Sequence, residues 1–451
     1  MIQLLFIRLR ILLILVFLFL TTTVQARELA LKDCIKYALE NHPKVMIIKK
    51  DLELVINNYK IIKSKRSVQL AASLASVETA KSTTGAVSVA GKDTDLGLMA
   101  GLSAAYSIYD PRQSDSEKTA RLNIDLTKLK NQAALHKIKL DLKNAYFEYL
   151  RTIEDVDFKK QNLKNVKFNL DLTKKQFKAG YRSLRDLTVE KIKYENNYLD
   201  FLRAKRRLHE KKLAFYSAMG VDDLKIDIKP KKITKLPKIK YSVEDLFKLA
   251  KLYNTNIQIY NIKIRKTKVA ISMAKGARYP TTSITISLGV RHRNLFNPPP
   301  TTWDDKKWQS GDENPIEPVI GFVVNFHWPI YTGGRISTHI DNAVINYNKA
   351  LYSKRDVLMN IKNAIVAQIV ALEDLKKQMV LQKMNNKNAE NFLKLTQKSY
   401  IGGYGTQQNL SNAQLNVLGN RLREINIKYE YLKRLAILSN ILGLNEENLC
   451  K

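Results

Sequence analysis

The chain has 451 residues, of which 45% are hydrophobic and 26% charged, and its formal net charge is +34. That length allows one large or two to three ordinary domains. Two cysteines make no disulfide framework, and six histidines without ligand spacing argue against a metal centre.

The chain opens MIQLLFIRLRILLILVFLFLTTTVQA. Arg8 and Arg10 form a basic start, Ile11–Leu20 an apolar core, and Val24-Gln25-Ala26 a small-residue cleavage site. This predicts a signal peptide over residues 1–26, cut before Arg27. The uninterrupted apolar run is short for a retained anchor, and no cysteine stands at the cut to take a lipid. Beyond Arg27 no stretch reads as a transmembrane helix, which leaves a periplasmic protein, a secreted one, or a membrane β-barrel. Loss of Arg8 and Arg10 takes the charge from +34 to +32. Such an excess can mean nucleic acid or anionic lipid as a partner, but the lysines are scattered along helical patterns beside many Asn and Ile residues, so a compositional bias explains it as well, and export argues against nucleic acid. Cys34 and Cys450 lie near opposite ends of the mature chain, where an oxidising compartment permits one disulfide.

In chain order, LKDCIKYALENHPKV (31–45) parallels SVEDLFKLAKLYNTNI (242–257), an offset of 212. VQLAASLASV (68–77) is weakly patterned and is placed as a strand mostly by its counterpart in the other half. In TDLGLMAGLSAAYSIYD (94–110), Leu96, Leu98, Ala100, Leu102, Ala104, Tyr106 and Ile108 alternate with small or polar residues. Ile284, Ile286, Leu288 and Val290 do the same, as do Ile320, Phe322, Val324, Phe326, Trp328 and Ile330 with one break at Val323. Strict alternation means strands with one apolar and one polar face. A soluble sandwich would serve, but export and the small polar inner residues favour a wall facing outer-membrane lipid. Residues 291–318, rich in Pro, Asp and Asn, read as an irregular loop.

Two long heptad-like segments follow the strand pairs. Leu135, Ile138, Leu142, Ala145, Tyr149, Val156, Leu163, Val166, Leu170 and Phe177 fall on a 3-4 spacing. Leu358, Ile361, Ile365, Leu372, Leu375, Met379, Ala389, Leu393 and Tyr400 repeat the seam. From Arg112 to Lys178 there is neither proline nor glycine, giving roughly 67 helical residues and a rod of about 100 Å. Arg335 to Ile401 repeats this. Such rods cannot bury their seams in one compact core. They need each other, their return helices or other subunits.

Both rods end in a Gly-Tyr pair, Gly180-Tyr181 and Gly403-Tyr404, 223 residues apart (403 − 180). Glycine closes a helix at its C-cap, and Ser183 and Thr406 can cap the helices that return. Gly220 and Gly443 keep the same offset, and SIYDPR (107–112) parallels PIYTGGR (329–335). The chain therefore holds a duplicated unit. The first copy spans 27–228, with strands about 68–78 and 95–109, a long helix about 112–178 and a return about 183–219. A linker over 229–241 leads to the second copy at 242–451, with strands about 281–291 and 319–330, a long helix about 335–401 and a return about 406–442.

ALKDCIKYALENHPKV, WPIYTGGR and the two Gly-Tyr turns, in this order and duplicated, resemble the TolC-like outer-membrane efflux proteins over residues 29–449. The resemblance implies a mixed, mainly α fold. A homotrimer forms a twelve-strand outer-membrane β-barrel, and a long periplasmic α-barrel continues it. It also implies an exit duct for a tripartite efflux pump or a type I secretion system. Substrates would pass passively from an inner-membrane transporter and a periplasmic adaptor, with no enzyme activity and no cofactor. The helix-turn tips, Gly180, Tyr181, Gly403, Tyr404 and Gly405, would meet the adaptor. Pro111, Pro329, Gly333 and Gly334 mark the joins between strand and helix. Asp186 and Tyr400 stand where the family has an Asp–Tyr latch at the periplasmic gate. Asp186 could instead simply favour a helix N-terminus. The latch arginine of some relatives falls at Gly405, and their ring of aspartates falls at Asn409 and Asn412, which implies weak block by multivalent cations.

Gly402-Gly403-x-Gly405 follows a helix where a nucleotide-binding glycine loop needs a strand. A periplasmic adaptor carries one hairpin between soluble β-domains, whereas this chain repeats strands and helices twice. A soluble coiled-coil protein would fractionate free of membranes.

Overall fold

The computed structural model describes residues 27–80, 94–222, 228–231, 237, 241–292, 302–304, 307–309 and 316–444. The expected signal peptide and Cys450 lie outside them. The described chain forms two compact units, one drawn from the described residues up to Lys50, Lys130–Gln258 and those from Asp356 onward, the other from Asp51–Leu129 and Ile259–Arg355. Each unit takes parts of both sequence copies.

The elements run β1 (Arg27–Leu29), α1 (Leu31–Asn41), α2 (Pro43–Ser64), β2 (Gln69–Ala80), β3 (Thr94–Tyr109), α3 (Pro111–Lys178) and α4 (Leu184–Met219). The second copy continues with β4 (Ile228–Pro230), α5 (Val243–Tyr253), α6 (Thr255–Gly276), β5 (Thr281–His292), β6 (Thr302–Asp304), β7 (Lys307–Gln309), β8 (Ile316–His327), α7 (Arg335–Ile401) and α8 (Gln407–Leu442). The alternation that reads through to Ile330 stops as strand at His327, just ahead of Pro329, which has no N–H for a ladder. Within the segment read as an irregular loop, β6 and β7 pair antiparallel with Trp303 opposite Trp308. Tryptophan favours strands, and here it outweighs the surrounding Pro and Asp.

In the first unit the duplication is written in the core. One cluster packs Cys34, Ala38, Leu142, Tyr146, Phe147, Phe215, Tyr216, Met219 and Tyr429. The other packs Leu246, Ala250, Ile365, Leu372, Leu435, Leu438 and Leu442. Cys34 and Leu246 are counterparts at the 212 offset, and Phe215 and Leu438 at 223; all four are fully buried. Cys34 therefore works as a small core hydrophobe, and burial pushes its thiol up to about 11. Each short first helix breaks on a polar residue that sits against the glycine ending a return helix. An added Cβ on Gly220 would lie 2.7 Å from the His42 Cα, and one on Gly443 would lie 2.4 Å from the Tyr253 carbonyl oxygen, next to Asn254. The Asn254 Nδ2 donates to the Ile441 carbonyl at 2.6 Å.

In the second unit four strands form one antiparallel sheet in the order β2-β3-β5-β8. Ala72, Leu102, Leu288 and Ile320 fall in one cross-strand row, and Leu70, Ala104, Ile286 and Phe322 in the next but one. The period of two puts these rows on the same face. That face is uncovered: Leu70 is 81% exposed and Ile320 79%. The intervening row of Ala71, Ser103, Ser287 and Gly321, with the row of Ser73, Gly101, Gly289 and Val319 beyond Ala72, makes the opposite face mostly small and polar. The backbones come close there, since a Cβ on Gly289 would stand 2.6 Å from the Ala100 carbonyl oxygen. β2 and β8 each pair on one side only.

At the joins between strand and helix the two copies use different chemistry. Asp110 caps α3: its Oδ1 accepts from the Arg112 backbone N–H at 2.9 Å and from the Arg112 side chain at 3.0 Å, with Pro111 at the first helical position. Before α7, Gly333 and Gly334 take φ of 55° and 81°.

Candidate functional site

The two hairpin tips in the first unit are copies of one another atom by atom. In the first, the Gly180 N–H donates to the Phe177 carbonyl at 3.0 Å and the Tyr181 N–H to the Gln176 carbonyl at 2.9 Å. In the second, Gly403 donates to Tyr400 at 3.2 Å and Tyr404 to Ser399 at 3.0 Å. This pair of reversed bonds is the Schellman helix ending, and it requires the positive φ found at Gly180 (78°) and Gly403 (83°). The turn leaves the following tyrosine facing outward: Tyr181 is 83% exposed and Tyr404 93%. Gly405 also donates to the Ser399 carbonyl, at 3.1 Å. A Cβ at Gly405 would come within 3.0 Å of the Tyr400 nitrogen, so the second turn packs its missing arginine position tightly.

The returning helices start on side-chain caps. Ser183 Oγ accepts from the Asp186 N–H at 3.1 Å, and an Asp186 carboxylate oxygen accepts from the Ser183 N–H at 3.3 Å, a reciprocal capping box. Hydrogen bonding from Ser183, with Arg182 and Arg185 nearby, holds the Asp186 carboxyl below its ordinary range. In the second copy Thr406 Oγ1 accepts from the Asn409 N–H at 3.2 Å. Asn409 and Asn412 are exposed, and Asn412 accepts from the Gln408 side chain at 3.1 Å. Within the chain Asp186 bonds to Ser183, and the half-buried Tyr400 makes no hydrogen bond with it.

Sequence reading missed the polar links above the tips. Lys193 joins Glu190 at 2.8 Å and Gln408 at 3.2 Å, tying α4 to α8. Asn162 donates to Asn197 at 2.6 Å, and Gln382 to the Asn420 carbonyl at 3.0 Å; Asn197 and Asn420 are counterparts at 223. Gln407 is buried with neither amide atom partnered, and Leu184 holds its counterpart position. The available signal was a polar residue at the same place in both seams.

No helix among the described residues is long and apolar enough to cross a membrane. An uncovered sheet face, duplicated rods and matched tips define a helical-hairpin protein with a β wall. Residues 248–444 match the family described as outer membrane efflux protein. The outer membrane protein TolC of Vibrio cholerae is 23% identical over 364 residues, covering 79% of this chain and 78% of that protein. A membrane protein of Pseudomonas aeruginosa superposes with a TM-score of 0.75 at 18% identity, covering 92% of this chain and 90% of that one. The CmeC outer membrane channel of Campylobacter jejuni does so with 0.74 at 17% identity, over 92% and 85%. These matches support a TolC-like outer membrane factor, placed in the outer membrane with an extension into the periplasm.

Proposed function

We propose that three copies of the chain form the exit duct of a tripartite efflux pump or type I secretion system. The observation that carries this is the four-strand sheet, apolar and uncovered on one face, small and polar on the other, and open at both edges. Four strands are too few to close around a lumen, and an open edge inside a bilayer leaves backbone groups without partners. β2 and β8 run in opposite directions, so β8 of one copy can extend the antiparallel order onto β2 of the next. Three copies give a twelve-strand barrel, which the helices continue as an α-barrel. Substrates pass down it without chemistry, supplied by an inner-membrane transporter through a periplasmic adaptor that meets the exposed Tyr181 and Tyr404 tips.

The periplasmic end is the gate. Asp186 and Tyr400 latch neighbouring hairpins, with the capping box presenting the carboxylate. Asn409 and Asn412 line the constriction as neutral amides. Recordings of the purified protein in planar bilayers test both levels. Stepwise conductance that rises in Asp186→Ala or Tyr400→Phe is expected. No steps in any variant would refute the channel; steps that neither substitution alters would refute the latch.

A further inference from the structure

The helix-proximal ends of the strands carry a second pattern, which the channel function does not require. Aromatic side chains gather there: Tyr109 at the end of β3, Tyr279 before β5, and Trp328 and Tyr331 after β8. All four are between 49% and 89% exposed. Tyr109 stands opposite Thr282, which pairs with Phe326, so the β-bulge after Ser107 keeps Tyr109 in register with the apolar face. The Trp328 Nε1 donates to the Arg278 carbonyl at 3.3 Å.

Beside these rings lies a set of cations written twice. Lys63 and Arg66 precede β2, and Lys275 and Arg278 precede β5 at the same offset of 212 (275 − 63). The local turn is the same as well: the Arg66 N–H donates to the Lys63 carbonyl and the Arg278 N–H to the Lys275 carbonyl, both at 3.1 Å. Arg66 is held by Glu117 at 2.8 Å and Arg112 by Asp110 at 3.0 Å. Exposed Lys65, Arg278 and Arg335 meet no acid among the described residues. Lys63 and Lys275 stand in the last turns of α2 and α6, where the helix dipole alone favours a cation. That reason does not reach Lys65 and Arg278, which lie beyond the helix ends, or Arg335, which opens α7 where the dipole disfavours a cation.

Aromatic rings settle at the boundary between hydrocarbon and headgroups. Unpaired Lys and Arg at that same level attract anionic headgroups, each adding an attraction that salt weakens. We infer that the aromatic and basic collar at the helix-proximal ends of β2, β3, β5 and β8 binds anionic phospholipid headgroups, with Arg278, Arg335 and Lys65 as the phosphate-facing cations. This rests on the reading that the strands cross the outer membrane, with their helical ends on the periplasmic side. It adds a lipid preference to that reading.

Trp328 is the reporter. Trp303→Phe with Trp308→Phe removes the other two tryptophans, and the full-length protein is reconstituted in phosphatidylcholine vesicles. A fixed fraction of brominated lipid is then added, either phosphatidylglycerol or phosphatidylcholine. Brominated phosphatidylglycerol should quench Trp328 about twofold or more beyond the choline lipid at low salt. The difference should vanish in Lys65→Gln/Arg278→Gln/Arg335→Gln and survive in Arg278→Lys. Equal quenching by both lipids in the unsubstituted collar would overturn the preference. Quenching by neither would overturn the membrane placement of the strands, a separate failure.

Discussion

Two glycines with nearly the same φ show what a single residue can decide. Gly180 takes 78° and Gly220 takes 73°, but no atom lies within 4 Å of a Cβ at the first, whereas the His42 Cα lies 2.7 Å from a Cβ at the second. Gly180→Ala should therefore cost only the left-handed backbone penalty, about 1–2 kcal/mol. Gly220→Ala adds a backbone clash and should cost more, lowering the denaturant midpoint further in equilibrium unfolding. Equal midpoints would contradict the packing. At Asp186 the folded carboxyl titrates below its unfolded value, so its capping contribution is complete above the ordinary carboxylate range and is lost as pH falls through the depressed folded value. Amide protection at residues 184–188, taken relative to the intrinsic exchange rate at each pH, should fall on acidification below about pH 4 and lose that dependence in Asp186→Asn. The positions of both turns were legible because glycine is the one residue that accepts their backbone. The partner of Gly220 was not: His42 lies 178 residues earlier (220 − 42), and no local pattern records it.

The strands and rods differ in how far their patterns could be read. β3 and β5 alternate cleanly because one face meets small polar residues. β2 reads poorly since Ala71, Ala72 and Ala75 suit either face, and its register is fixed only by pairing with β3. The seam along α3 was readable as heptads, yet burial around Tyr146, Phe147 and Leu150 is broader than a seam, because α1, α4 and α8 supply side chains to the same cluster. On the sheet, Leu102→Arg puts a charge on the uncovered apolar face, the proposed lipid side, and should cost about 2–4 kcal/mol near mid-bilayer. Ser103→Arg, one residue on and facing the other way, should leave assembly intact and shift the reversal potential toward anions. Assembly yield on detergent extraction separates the two, and equal loss in both would argue against a two-faced wall.

For the whole molecule, the duplicated plan and the family resemblance were visible in the order of motifs, and the fold agrees over 92% of the chain. What sequence left open is the gate, because the proposed partners Asp186 and Tyr400 make no hydrogen bond with each other within one chain. Asn409 and Asn412 are exposed and neutral, so multivalent cations should block the pore weakly. Asn409→Asp with Asn412→Asp should introduce strong block, read as loss of conductance on cation addition; strong block before substitution would contradict the ring. The central claim is that a four-strand sheet with two open edges is completed by sister copies. The mass of the full-length protein extracted from outer membranes in mild detergent tests it most directly. Three protomers per particle are predicted, and a stable monodisperse monomer would contradict the account.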